Sequence, residues 1–189
     1  MKIENSFQVA AAPEAAWSLL TDVPRVVPCM PGAELVERVD ESHWKARVKV
    51  KLGPISLSFL ADVEREQLDE SSRTVKLATR AREERGRGNA SATIQSSLAS
   101  ADGGTRVDIV TDLTMTGPVA QYGRGMVQEV AGQLTRSFAE CLEQQLATEP
   151  GQAQAAVPAQ AKPVSGLALG VRALGSALAR VLRRLTGRR

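Results

Sequence analysis

Few side chains of this chain belong to types that do acid–base, nucleophilic or metal chemistry. His43 is the only histidine, and it stands beside Trp44 and close to Glu41 at the start of a predicted strand. A general base needs an orienting partner and a cleft, whereas this position favours an exposed side chain at a strand edge. Cys29 and Cys141 are far apart in sequence and lack CxxC spacing, which predicts two free thiols in a reducing compartment. We therefore expect no catalytic residue and no metal site.

A second chemical feature is the C-terminal segment 165–189, which holds six arginines and no acidic residue. The whole chain carries a net charge of +3, so the first 164 residues carry −3. On a helix with about 100° per residue, the apolar side chains of this segment form one stripe and four arginines lie opposite. The stripe contains Leu167, Val171, Leu174, Leu178, Val181, Leu182 and Leu185, and the four arginines are Arg172, Arg180, Arg183 and Arg184. This pattern predicts a helix that binds a membrane surface.

Two other kinds of partner can bind a basic amphipathic tail. A groove of a partner protein is one, and nucleic acid is the other, which we exclude because the rest of the chain is net acidic and offers no stacking platform. A transmembrane helix is not expected, since Arg172 and Arg180 would each cost about 2.5–3.5 kcal/mol near a bilayer centre. The N-terminal MKIENSFQV has no apolar run and predicts no signal peptide. The expected location is cytoplasmic, peripheral on the inner face of the cell membrane.

Alternating apolar residues and turn signals predict the order of elements. A strand over residues 2–10 is followed by two short helices, six strands and a long helix over residues 119–146. Strands at 44–52 and 55–63 are predicted to pair so that Val48 faces Phe59 and Val50 faces Leu57. Further strands are expected at 73–83, 87–98 and 105–115. The product is an α+β fold in which a curved antiparallel sheet wraps around the long helix.

Composition divides the chain into three parts. Residues 1–146 are the folded domain, and residues 147–164 are rich in proline, alanine and glutamine, which predicts a flexible linker. Residues 165–189 are the basic amphipathic helix. Within the domain, Lys45, Arg47, Lys49 and Lys51 form a basic stripe on one strand, and a solvated sheet face is the default interpretation.

The inward residues of the predicted sheet are small for a core. Positions with the parity of Val48 and Phe59 are mostly alanine, and the chain has only six aromatic residues. Because protein interiors are close-packed, small residues must be matched by large ones or leave space. We therefore expect an apolar cavity that binds a hydrophobic molecule, although these residues could equally be plain core. The predicted ligand-binding residues are Trp17, Val27, Met30, Trp44, Phe59, Leu113, Met115, Tyr122, Met126 and Val130.

Three segments, in their order and spacing, resemble the G-subunit family of carbon monoxide dehydrogenase, which belongs to the START-like helix-grip superfamily. They are CMPGAE (29–34), KLGPI (51–55) and TGPVAQYG (116–123). The resemblance covers residues 1 to about 146, and the linker and basic tail are similar too. It implies a non-catalytic accessory protein that tethers a respiratory oxidoreductase, typically a molybdenum hydroxylase oxidising carbon monoxide, to the membrane. It also implies a bound respiratory quinone, menaquinone or ubiquinone, in the helix-grip cavity.

Two alternative functions stay open at this point. The protein could recruit a carbon monoxide dehydrogenase-type enzyme to the membrane without carrying a ligand. It could also be a small cyclase or hydrolase, since some helix-grip proteins are enzymes.

Overall fold

The computed structural model describes residues 1–52, 55–122 and 124–148. The predicted linker (from residue 149) and the whole predicted tail helix lie outside this part. The described elements are, in chain order, strand β1 (Lys2–Val9), helices α1 (Pro13–Thr21) and α2 (Val23–Val26), a 3-10 turn (Val27–Cys29), strands β2 (Ala33–Arg38), β3 (His43–Leu52), β4 (Ile55–Asp69), β5 (Thr74–Glu83), β6 (Asn89–Ala101) and β7 (Gly104–Thr116), a second 3-10 turn (Pro118–Tyr122) and helix α3 (Arg124–Thr148).

The seven strands form one curved antiparallel sheet in the order β1-β7-β6-β5-β4-β3-β2. Consecutive strands from β2 to β7 are neighbours, and β1 adds to the far edge beside β7. Helix α3 packs against this sheet, closest to β1. The α+β helix-grip class predicted from the sequence is therefore confirmed.

The β3–β4 register matches the sequence prediction. Val48 is paired with Phe59, and Val50 with Leu57, so apolar side chains oppose one another. Strand β4 is longer than predicted and reaches Asp69. Strand β2 had no predicted bounds, since its sequence alternates weakly. In the structure it is an edge strand, and its register shifts between Leu35 and Glu37.

A glycine turn places the first 3-10 turn beside the sheet. Gly32 has a φ of 80°, and a Cβ at this position would lie 2.3 Å from the carbonyl oxygen of Lys49. The Lys49 N–H donates to the Gly32 carbonyl over 2.9 Å. Only glycine fits so close a backbone approach at positive φ, so this residue determines how the segment enters β2.

Two apolar clusters make up the core. In the larger one, Leu19 of α1 and Val107 of β7 pack with Phe138 and Leu142 of α3. The smaller one joins Leu57, Phe59 and Val119 at the opposite end of the strands. Together they attach the helices to the concave face of the sheet, leaving space between some of the inward side chains.

The two cysteines form a disulfide, so the prediction of two free thiols is wrong. Cys29 and Cys141 are bonded across a separation of 112 residues, with their Cα atoms 5.3 Å apart. Distance along the chain says little about distance in space, and the fold brings the first 3-10 turn against α3. Gln145 reinforces this contact by donating from Nε2 to the carbonyl of Arg25 over 3.2 Å. The argument from free thiols for a reducing compartment therefore no longer holds.

The sequence prediction for the long helix was partly wrong at its start. Residue Val119 belongs to the second 3-10 turn, and α3 begins at Arg124. None of the helices in the described part is long and apolar enough to cross a bilayer.

Candidate functional site

A cavity of about 490 Å³ lies between the concave face of the sheet and the helices. Strands β3 to β7 supply most of its wall, and the edge strands, the three helices and the two 3-10 turns complete it. Most of the lining is aliphatic or aromatic. Small-molecule sites commonly have volumes of about 300–1,000 Å³ and mostly apolar walls, so this cavity has the size and chemistry of a site for a hydrophobic ligand.

The space exists because alanine occupies one position on each of four adjacent strands. Ala46 of β3 is paired with Ala61 of β4, which is paired with Ala81 of β5, and Ala81 is paired with Ala90 of β6. All four line the cavity. Since successive side chains of a strand alternate between faces, this alanine row removes side-chain bulk from the middle of the concave face.

Seven of the ten predicted ligand-binding residues line the cavity. They are Val27, Met30, Trp44, Phe59, Leu113, Met115 and Val130. Strand alternation and the helical repeat brought five of them to one wall, and Val27 and Met30 enter it from the first 3-10 turn and the residue after it. Binding of a ligand by these residues stays a prediction.

Two of the remaining predicted residues do not line the cavity. Trp17 packs, half-buried, against the larger core cluster, because α1 directs Leu20 toward the cavity instead. Met126 is 37% exposed and lies about 100° around α3 from Val127, which is in the wall. Met126 lies at the margin of the apolar stripe predicted from the sequence, since Val130, about one turn further along the same helix, does line the cavity. The side chain of Tyr122 lies outside the described part.

Sequence analysis missed a polar group on the concave face. Arg65 shares the inward parity of Phe59 and Ala61 and lines the cavity. Its guanidinium lies 5.5 Å from the centroid of the Trp44 ring, and its Nη2 donates to the carbonyl of Glu41 over 3.0 Å. The predicted end of β4 at residue 63 hid this position, although the alternation of inward residues continues to Arg65.

Comparison with family models now identifies the type of protein. Residues 6–147 match the model for CoxG, the G-subunit of carbon monoxide dehydrogenase. The chain belongs to this family. A comparison with curated proteins found no match.

Solved structures agree with the CoxG-family assignment at the level of the fold. A conserved protein from Geobacillus kaustophilus superposes with a TM-score of 0.69 at 21% identity, covering 78% of this chain and 95% of that one. The ZhuI aromatase/cyclase from Streptomyces sp. R1128 gives 0.55 at 15% identity, with 78% and 93% covered. A START superfamily protein from Mycobacterium smegmatis gives 0.50 at 19% identity, with 77% and 97% covered. At these identities the likeness shows the shared fold.

His43 of this CoxG-family chain lies on the other face of β3 from Trp44. Its side chain is 44% exposed, with Nδ1 2.9 Å from Oδ2 of Asp40 and Nε2 3.5 Å from Oε1 of Glu64. Hydrogen bonds from Ser42, together with those from His43, lower the pKa of Asp40 to about 2. This cluster is a surface turn, and none of its side chains lines the cavity. In the described part, no three His, Cys, Asp or Glu side chains come together as metal ligands.

The basic stripe of β3 occupies this same outer face of the CoxG domain. Lys45 Nζ lies 2.7 Å from Glu37, and Arg47 lies 3.4 Å from Glu34 and 3.2 Å from Glu84. These carboxylates offset much of the positive charge, so the stripe forms ordinary surface ion pairs.

Proposed function

We propose that this protein is a non-catalytic accessory protein that holds a respiratory quinone, menaquinone or ubiquinone, in its cavity. Through the tail it links a partner oxidoreductase of the carbon monoxide dehydrogenase type, a molybdenum hydroxylase, to the cytoplasmic membrane. The observation that carries the proposal is the apolar cavity of about 490 Å³ enclosed by the sheet and α3.

The wall chemistry suits an isoprenoid quinone. The alanine row leaves width for an isoprenoid chain, and Phe59, Leu113 and Met115 offer apolar contact beside it. Burial of apolar surface contributes about 25 cal/mol per Å². A ligand that buries roughly 300 Å² of such surface would therefore gain about 7 kcal/mol, before the entropic cost of association.

The tail supports attachment to a membrane. Its six arginines would each contribute about 1 kcal/mol near an anionic surface, and the leucine and valine stripe would enter the interface. Because the cytoplasmic leaflet is the anionic one, the proposed site is the inner face of the cell membrane.

The partner follows from the family, whose description names a component of carbon monoxide dehydrogenase. Oxidation of carbon monoxide with water yields carbon dioxide, two protons and two electrons. A quinone takes up two electrons and two protons to become a quinol. A protein that carries quinone in water and binds a membrane would supply this acceptor to an enzyme that does not itself enter the bilayer.

Two alternatives make different use of the same features. In a pure recruitment factor the cavity is only loosely packed core, and the body docks the enzyme while the tail binds lipid. In a small cyclase or hydrolase the cavity holds a reacting substrate, which the ZhuI likeness favours at the level of fold. The position of His43 on the outer face disfavours that second alternative, because a base must reach the substrate.

The decisive test is quinone binding by the full chain. We expect organic extraction of freshly purified protein, followed by mass spectrometry, to release an isoprenoid quinone. Titration with menaquinone should quench the fluorescence of Trp44, which is the only tryptophan left in a Trp17→Phe variant. Ala92→Phe places a ring inside the cavity wall and should abolish quenching, whereas Thr93→Phe, on the other face of β6, should not. Absence of both extracted and titrated quinone would refute ligand carriage.

The membrane link has its own test. Full-length protein should float with vesicles of phosphatidylglycerol and much less with vesicles of phosphatidylcholine. Deletion of residues 165–189 should abolish flotation while leaving quinone titration unchanged. Tail-dependent flotation in a protein that binds no quinone would favour the recruitment factor.

A further inference from the structure

One end of the cavity differs from the rest because it carries polar groups. Arg65 and Thr111 line the cavity on one row across the sheet, with Leu77 and Ile94 between them, and Trp44 and Thr79 line it on the adjacent row. Along β4, Phe59 lies roughly 20 Å from Arg65 at about 3.3 Å per residue, among apolar side chains. The cavity therefore has a polar end and an apolar end.

Trp44 has an unsatisfied donor at the polar end. The residue is 3% exposed, and its Nε1 is the buried side-chain polar atom without a hydrogen-bond partner in the described part of the chain. Buried polar groups normally have partners, and an exception calls for an explanation. A bound molecule with an acceptor atom would provide one.

Arg65 adds a cation with spare donors beside this indole. A guanidinium has five N–H donors, and in the described residues one side-chain hydrogen bond is made, to the carbonyl of Glu41. No carboxylate pairs with Arg65 within the described residues. Stacking of the cation near the Trp44 ring holds it at the wall. An arginine on the concave face of a mostly apolar cavity is thus left with donors for a ligand.

We infer that Arg65 and Trp44 bind an acceptor oxygen on the head group of the hydrophobic ligand, whose chain extends toward Phe59 and Met115. This rests on the proposed function, in which the oxygen is a quinone carbonyl. A fatty-acid carboxylate presents the same chemistry, an sp² oxygen on an apolar body. These contacts orient the ligand, and the two side chains discriminate an oxygenated ligand from a plain hydrocarbon.

The test compares ligands with and without oxygen on the full chain. Menaquinone-4, oleate and squalene are each titrated into protein loaded with N-phenyl-1-naphthylamine, a neutral apolar dye, and displacement of the dye is measured. The affinity of the dye itself is measured for every variant. Arg65→Met keeps a similar apolar stem without donors, and we expect roughly tenfold or greater weakening of menaquinone-4 with squalene unchanged. Arg65→Lys should restore part of the loss. Trp44→Phe, which keeps a ring and removes the N–H, should weaken menaquinone-4 several-fold.

Leu77→Ala is the matched control, since Leu77 is the β5 neighbour of Arg65 and lines the cavity without donors. It should weaken all three ligands alike. Dependence on Arg65 for oleate alone would support the oxygen site and assign it to a carboxylate. Equal effects of Arg65→Met on menaquinone-4 and squalene, or no effect on either, would overturn this inference while leaving ligand carriage intact. Failure of the unmodified chain to bind any of the three would overturn the proposed function with it.

Discussion

The two faces of the sheet place side chains of the same strands in different environments. On the concave face, β3 to β6 contribute alanines and large apolar residues that border a cavity. On the convex face, the neighbouring residues form ion pairs such as Lys45 with Glu37 and Lys76 with Glu66. Because side chains alternate along a strand, a shift of one residue exchanges cavity wall for water. The inward residues therefore carry the proposed binding function, and the outward residues mainly form the hydrated surface.

The largest effect is expected from truncation of a leucine on each face of β4. Leu57 is 1% exposed and Leu60 is 36% exposed. We expect Leu57→Ala to lower the free energy of unfolding by about 2–5 kcal/mol, because it removes buried contacts, and Leu60→Ala to lower it by less than about 1 kcal/mol. Urea denaturation followed by circular dichroism measures both. Similar losses of unfolding free energy in the two variants would show that the two faces do not differ in how tightly their side chains are packed.

The second test concerns the bond that holds α3 over the concave face. Reduction of the Cys29–Cys141 disulfide should lower the free energy of unfolding by about 2–4 kcal/mol, because the intact disulfide closes a long loop in the unfolded chain. Denaturation with and without reductant measures this difference. The control is Cys29→Ser with Cys141→Ser, whose stability should not respond to reductant. Alkylation of both thiols in untreated, folded protein would contradict the disulfide.

The third test uses two adjacent glutamates at the end of β5. Glu83, with the inward parity and 2% exposed, accepts N–H bonds from Arg85 and Arg87 at 2.8 and 3.1 Å. Glu84 lies outward, near Ser58 and Arg47. We expect Glu83→Gln to lower the melting temperature more than Glu84→Gln, since only the former weakens the buried anchoring of the β5–β6 turn. Equal melting temperatures would contradict this.

The same carboxylate predicts a pH dependence. Burial opposes ionisation of Glu83, but the backbone N–H groups of Arg87, Arg85 and Ser58 outweigh it and hold the pKa below its ordinary value of 4.5. A group whose pKa is lower in the folded state stabilises the protein above its unfolded pKa and loses that contribution as the pH falls through the folded pKa. Acid unfolding curves should therefore be less steep below about pH 4.5 in Glu83→Gln than in the unmodified chain. Unchanged steepness would refute this.

The smallest expected effect belongs to His43 on the convex face. His43→Gln should change the free energy of unfolding by no more than about 0.5 kcal/mol, as an exposed substitution usually does, and should leave menaquinone titration unchanged from pH 5 to pH 8. A pH-dependent loss of any catalysed reaction in this variant would instead favour the small cyclase or hydrolase.

Much of the fold followed from local patterns. Alternation located six of the seven strands. The pairing of Val48 with Phe59 was correct because a slip by one residue would have exposed apolar side chains. Strand alternation and the helical repeat identified five of the seven correctly predicted lining residues, and Val27 and Met30 lie outside these repeats. The errors lie along weakly alternating β2 and near the start of α3, where Met126 stands at the margin of the apolar stripe.

The amino-acid sequence by itself determined which residues share a face, because the strand and helix repeats depend only on backbone geometry. It also determined that the inward face is rich in alanine, and hence that the interior holds space. Tertiary structure decided what distant segments do together. It joined Cys29 to Cys141 and brought the side chain of Arg65 against Trp44. Such contacts depend on how elements pack in three dimensions, and no spacing along a single chain encodes them.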